Sequence, residues 1–405
     1  MNLNTKILNM RYFFLQILFW GAAVVHYAYM TQILEFKGFS EFEIGILSGS
    51  RLLTGLIFQI WIGAFADRYV YRFPLKNIIA ALAIGSGIFS FLLWKVGHHF
   101  LWMLFICMGL GITFTTLSPL IDSLSMLYVN HGKDVNFAKG RAGGSVSWAF
   151  LCIFAGVYCD KRGLGNFPLF AIGICLLMGV VALTMPWQSI HQNHRIKKEK
   201  KESPTGDSVW QILKKYKVYT VFLIGSAMMF MGYNLGSVFL IDVFKGLGGN
   251  NTHYGLGEFV LAMSEVPSAF LILKFRRKIP MKWFMLCCAF FMTLKNLIPT
   301  YSHHIGIVIL AQACEMLGFG LYYAGGMYLV TDMLPERDLV KATTLISVAT
   351  VGMGEGIASL FCGMIHQRFG LYGLMKAGTL VNALAVLVML FMCMMKEEPK
   401  ETNTV

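Results

Sequence analysis

Residues 139–148 read KGRAGGSVSW, two cations and three glycines directly ahead of an apolar run. A glycine-rich turn beside cations can cradle a phosphate, but that requires a preceding strand and the spacing GxxxxGK[ST]. This stretch has neither. The competing reading is the mouth of a membrane helix that keeps Lys139 at its edge and carries Arg141 inward. Composition decides between them. The 405 residues are 56% hydrophobic and only 14% charged, with mean hydropathy +0.62. A soluble domain carries about 25% charged residues, so this supply cannot cover a water-facing surface.

Working outward, apolar runs near the ~20 residues needed to cross a bilayer recur along the chain. They fall at 11–34, 43–66, 75–94, 99–121, 141–159, 167–187, 217–241, 254–273, 283–301, 304–330, 342–365 and 371–395. The expected fold is therefore all-α and polytopic, with twelve transmembrane helices. The N-terminus has a polar start and no small-residue cleavage site, which reads as an uncleaved first helix. The net charge of +13 does not call for nucleic acid. With both termini in the cytoplasm, the cations gather on that side: Lys6 and Arg11, then Arg68, Arg72 and Lys76, then Lys133 and Lys139. Eight more lie between Arg195 and Lys217, and five between Lys274 and Lys282. That is the positive-inside pattern. The nine cysteines sit in or at the ends of apolar runs with no CxxC pair, and read as reduced packing residues without a metal.

The polar stretch 188–216 divides the spans six and six. This gives an N-terminal bundle (1–187), a cytoplasmic linker (188–216), a C-terminal bundle (217–395) and a short tail (396–405). From Ser208 the linker has the pattern of a short amphipathic helix, with Trp210, Leu213, Lys214 and Lys215 at the headgroups. The halves echo each other. RFPLK (72–76) returns as KIPMK (278–282), 206 residues later. Gly156 and Gly163 return as Gly363 and Gly370, 207 residues later. Two matches at nearly one offset indicate a duplicated six-helix unit, an architecture of secondary transporters.

Charges at bilayer depth cost about 2.5–3.5 kcal/mol even on the insertion scale, so each is a functional candidate. They are His26, Arg51, Asp122, Arg141, Glu258, Glu265, Lys295, Glu315 and Glu355. Asp122 and Arg141 are expected at the cytoplasmic ends of spans four and five. Arg141, Ser145 and Trp148 stand at i, i+4 and i+7, on one helix face. Facing Asp122, they offer a forked donor, an acceptor carboxylate and a stacking indole, which suits a polar ligand with a flat or ring-shaped face. A snorkelling Arg141 with Trp148 as packing explains the same spacing. His26 reads as hydrogen-bonded packing, and Arg51 as a gating or substrate contact. No P-loop and no nucleophile–base constellation occurs, which argues against an enzyme. The paired histidines 98/99 and 303/304 lie at outer helix ends and need no metal.

Two motifs carry a family resemblance. GAFADRYVYRFPLK (63–76) resembles the G-x-x-x-D-R-x-G-R-[KR] loop of the major facilitator superfamily, with Gly63, Asp67, Arg68 and Arg72 in place and Val70 where a second glycine is usual. PLIDS with NFAKGRAGGSVSWA resembles helices four and five of its lactose permease-like branch. The resemblance implies a cytoplasmic gate at Gly63, Asp67, Arg68 and Arg72. It implies substrate contacts at Asp122, Arg141 and Trp148, with Glu265 added from helix eight. Ser145 and Asn234 complete the candidate set. In the second half the pattern departs from the permease. Lys295 replaces an arginine, Glu315 a histidine and Gln312 a lysine; Asn234 and Ser237 replace two aspartates, and Gly318 an acid. Its proton path therefore cannot be copied across.

Glu315 with Lys295 is the first candidate for proton coupling, then Glu355, then Glu265; a static Glu315–Lys295 pair is the alternative. The resulting expectation is a proton-coupled importer of a small polar solute, a saccharide or glycoside, in a bacterial inner membrane. It would be monomeric, with lipid and substrate as partners and no cofactor beyond the coupling proton. A nucleoside or aromatic-acid symporter is the nearest rival, ahead of a drug exporter or a membrane sensor.

Overall fold

The computed structural model describes residues 3–69, 73–130, 133–187, 208–276, 278–335 and 338–396. Every regular element among them is helical. Ten helices are long and apolar enough to cross a membrane. One further apolar helix, Pro168–Leu183, has 16 residues. The expected sixth span ran to residue 187, but Pro186 disfavours the helical conformation in the residue before it, and the helix ends at Leu183. The chain divides into two compact units, Met1–Lys201 and Glu202–Val405.

Unit 1 contains α1 (Leu3–Ala23), α2 (Met30–Phe36), α3 (Glu41–Tyr69), α4 (Leu75–Lys95), α5 (Phe100–Leu110), α6 (Leu117–Asn130), α7 (Phe137–Arg162) and α8 (Pro168–Leu183). α1 packs along α7, and α4 along α8. Two wide π turns interrupt the helical runs, Val24–Ala28 after α1 and Gly111–Thr115 between α5 and α6. Such turns release backbone groups from the regular ladder. At the first, the buried Arg51 guanidinium donates to the His26 carbonyl at 2.7 Å and lies 4.8 Å from the Tyr27 ring centre.

Unit 2 contains α9 (Val209–Lys215), α10 (Lys217–Ser237), α11 (Leu240–Gly246), α12 (Asn251–Phe275), α13 (Met281–Tyr301), α14 (Ile305–Ala311), α15 (Phe319–Met333), α16 (Leu339–Ser347) and α17 (Ile357–Met394). The core packs Phe222, Met285, Met292, Tyr322 and Met389 from α10, α13, α15 and α17. A 3₁₀ turn, Gln312–Met316, separates α14 from α15, and a π segment, Val348–Gly356, separates α16 from α17. α9 is the expected linker helix. Ser208 and Gln211 form its capping box, Trp210 is exposed and Ile212 is its buried residue. Residues 188–207 and 397–405 of the linker and tail lie outside the described residues.

The sequence echo has a structural counterpart. Gly163 ends α7 at φ 77°, ψ 171°, and Gly370 bends α17 at φ 71°, ψ 175°. A side chain is strained in this region, so glycine is required at both turns. Pro74 and Pro280 are the N-caps of α4 and α13. Two residues on, Lys76 Nζ donates to the Leu183 and Met185 carbonyls at 3.0 and 2.8 Å. Lys282 Nζ donates to the Met395 carbonyl at 3.0 Å. In each unit one lysine thus caps the end of the last helix, where carbonyls lack intrahelical donors. Arg11 adds a bond to the Thr184 carbonyl.

Candidate functional site

In unit 1 the substrate candidates meet through α1. Arg141 lies at the start of its apolar span, Lys139–Arg162, as expected, but Asp122 does not lie at the end of its helix. α6 continues eight residues beyond Asp122 to Asn130, and α7 starts four before Arg141 at Phe137. The polar serines 123 and 125 end the apolar run without ending the helix. Buried Gln16 of α1 donates to Asp122 Oδ1 at 2.8 Å and to Tyr12 Oη at 2.9 Å. Asp122 is half-buried and feels the Arg141 charge. Arg141 lies over the Trp20 indole, 4.2 Å from its ring centre. Trp20 meets Trp148 edge to face at 5.8 Å and 75°.

The opening glycines explain how α1 gets so close. A methyl at Gly140 would strike the Tyr12 ring, one at Gly143 the Phe13 ring, and one at Gly144 the Trp20 indole. Small residues let helix axes approach, and here each admits one aromatic of α1. Ser147 Oγ donates to the Ile17 carbonyl at 2.9 Å and fastens the same contact. Ser145 is half-buried one turn after Arg141.

The structure thus joins Asp122, Arg141 and Trp148 to three residues that the sequence reading did not single out: Tyr12, Gln16 and Trp20. A signal existed. Residues 12, 16 and 20 are spaced four apart and share one helix face, and Gln16 is a bare amide in an apolar run. His26 is fully buried, its Nε2 3.2 Å from Ser90 Oγ and its ring 4.5 Å from Phe114. That is a packing environment. Arg51 is engaged with the π turn described above. Of the gate candidates, Gly63 lies within α3 with no atom within 4 Å of its absent side chain. Asp67 and Arg68 stand on the last turns of α3, with side chains outside the described residues, as is the whole of Arg72.

In unit 2, Lys295 Nζ donates to Glu315 Oε2 at 2.6 Å, and both side chains are almost fully buried, at 4% and 1% exposure. Tyr233 Oη donates to Glu315 Oε1 at 3.2 Å, and the Lys295 ammonium lies 4.3 Å from the Tyr233 ring centre. The 3₁₀ turn carries Glu315, and its tighter winding places Gln312 and Glu315 among the buried residues of one short segment. The Tyr233 phenol also feels the charges of Glu258, Glu355 and Glu265. Glu258 is buried, while Glu265 and Glu355 are half-buried, the latter within the π segment. Asn234 accepts from Ser359 Oγ at 2.9 Å and ties α10 to α17. It is buried at that helix contact.

The profile of the MFS_1 like family matches residues 7–377. The chain belongs to the MFS_1 like family. Inner membrane protein YqcE of Escherichia coli (strain K12) is 21% identical over 341 residues, covering 76% of this chain and 74% of that protein. Among solved structures, the nucleoside transporter NupG superposes with TM-score 0.79 at 14% identity, covering 97% of this chain and 100% of that one. The D-xylose–proton symporter gives 0.67 at 17% identity, covering 95% and 96%. A bacterial homologue of the lysosomal transporter Spinster, inward-facing and unoccupied, gives 0.71 at 14%, covering 97% of each chain. These likenesses establish the fold. This member of the MFS_1 like family is a multi-span helical membrane protein with the major facilitator fold, a transporter relative and not an enzyme.

Proposed function

We propose that the protein is a proton-coupled importer of a hydroxylated ring solute, a saccharide or glycoside, working by alternating access. The observation that carries this reading is the two-part cluster of unit 1. Asp122 and Gln16 form a hydrogen-bonding pole, and Arg141 with Trp20 and Trp148 forms an aromatic and cationic pole. A carboxylate accepts sugar hydroxyls, and an indole face stacks on a ring. The second indole favours a ligand that adds a flat group to the sugar. A nucleoside, itself an N-glycoside, is such a ligand, and the likeness to a nucleoside transporter supports it as the second reading.

The coupling role goes to unit 2. Lys295 and Glu315 form a buried pair, with Tyr233 on the second carboxylate oxygen. A nearby cation favours the charged carboxylate and burial away from it favours the protonated one, so a change in that contact during transport would switch the proton on and off. Glu315 is the leading proton site, with Glu355 and Glu265 as the shared reserve. The reading includes twelve crossings with both termini in the cytoplasm, a gate at Gly63, Asp67, Arg68 and Arg72, a monomer, and a bacterial inner membrane like that named for the YqcE relative.

A thermal-stability screen of purified protein against saccharides, nucleosides and aromatic acids tests the substrate class. Sugars or nucleosides should stabilise it, and Asp122→Ala and Arg141→Ala should each abolish the shift. A hit of unchanged strength in both variants would reject the site.

A further inference from the structure

Gln16 of α1 hydrogen-bonds the Asp122 carboxylate. Its amide nitrogen has two hydrogens, and both are in use: one on Tyr12 Oη at 2.9 Å, one on Asp122 Oδ1 at 2.8 Å. The amide is 2% exposed and Tyr12 fully buried. Tyr12 is itself held, its ring stacked on Phe137 at 6.5 Å and lodged where Gly140 leaves room. Asp122 Oδ2 takes no hydrogen bond among the described residues. A chain of fixed groups therefore runs from the glycine-rich start of α7, through Tyr12 and Gln16, to one oxygen of Asp122, with the other oxygen left to accept.

We infer that Gln16 is the positioning residue of the ligand site, clamping Asp122 so that Oδ2 is the oxygen presented to a ligand hydroxyl. This rests on the reading of Asp122 as a ligand contact, but the Gln16–Asp122 link can be tested without any ligand. The charged or titratable groups facing the link are Tyr12 on α1, Asp122 on α6 and Arg141 on α7. Replacing the amide by a carboxyl group sets two acids at hydrogen-bond distance. They tolerate each other only when they share a proton, because a protonated carboxyl restores one donor and two carboxylates repel.

The test compares Gln16→Glu, Gln16→Leu, Asp122→Asn and the Gln16→Glu/Asp122→Asn pair in the purified full-length protein. Ligand-free thermal unfolding is followed by tryptophan fluorescence from acid to alkaline pH. Gln16→Glu should match wild type in acid and lose stability as pH rises, and the paired variant should lose that dependence. Uridine and p-nitrophenyl galactoside are the binding probes. Gln16→Leu should weaken whichever probe binds by about tenfold, the scale of one charge-assisted hydrogen bond. A pH-flat Gln16→Glu, or a dependence that survives in the paired variant, overturns the inference. So does Gln16→Leu binding at wild-type strength while Asp122→Asn does not. If Asp122→Asn binds as wild type, the ligand reading of Asp122 fails, and with it the presented-oxygen role. The ligand-free profile then reports separately whether Gln16 holds Asp122.

Discussion

In unit 1 the half-buried acid and base each contact a neutral group: Asp122 is held by an amide, and Arg141 rests on an indole face. In unit 2 they hold each other, Lys295 on Glu315 at 2.6 Å, with Tyr233 closing the second oxygen. Acid and base with separate partners can each exchange those contacts for a ligand. A directly neutralised pair is a poor receptor for a neutral solute, but it responds to a proton, because protonating the acid removes the attraction. The same residue classes in two arrangements thus divide the work between binding and coupling.

The comparison breaks most visibly in unit 2. Removing one partner of a buried pair costs about 3–5 kcal/mol, since the other charge is stranded, while removing both can be nearly neutral. Lys295→Met should therefore lower thermal stability strongly, and Lys295→Met with Glu315→Gln should restore much of it. The single Glu315→Gln should abolish acid-driven accumulation yet spare solute exchange in vesicles without a proton gradient. Wild-type accumulation in that variant would remove Glu315 from the coupling role.

At Asp122 and Arg141 of unit 1 the losses should fall on affinity, not on stability. Asp122→Asn or Arg141→Ala should cost about 1.5–3 kcal/mol of binding, roughly ten- to a hundredfold, measured by titration calorimetry. Gly144→Ala comes next. Its methyl would collide with Trp20, and overpacking costs about 1–3 kcal/mol. A changed tryptophan emission spectrum with weakened binding is the expected outcome. The smallest effect should come from Lys76→Met, a loss near 1 kcal/mol from the capped end of α8, read as faster hydrogen exchange around residues 183–185.

Much of this architecture is legible in the sequence because hydropathy and charge placement are local signals. The apolar runs and the helix after Ser208 could be read that way, and helical spacing put Arg141, Ser145 and Trp148 on one face. Three features could not. Gln16 and Trp20 matter through their approach to residues more than a hundred positions away; their four-residue spacing shows that they share a face of α1, but not which residues that face meets. The π turns at Val24–Ala28 and Gly111–Thr115, VVHYA and GITFT, share no residue pattern that would mark them in the sequence. Hydropathy places Asp122 at a span end because the apolar run stops at its first charge, whereas hydrogen bonding continues α6 past it to Asn130.

The lysine caps have a consequence for how the protein is made. Lys76 is synthesised 109 residues before Met185, whose carbonyl it holds, and Lys282 waits 113 residues for Met395. On a ribosome each lysine leaves the exit tunnel with its acceptor not yet in existence. Chains emerge N-terminus first and fold domain by domain, so the first cap can form only after the sixth apolar segment has been made. The duplicated lysine therefore marks a completion step in assembly, reached once for each half of the chain.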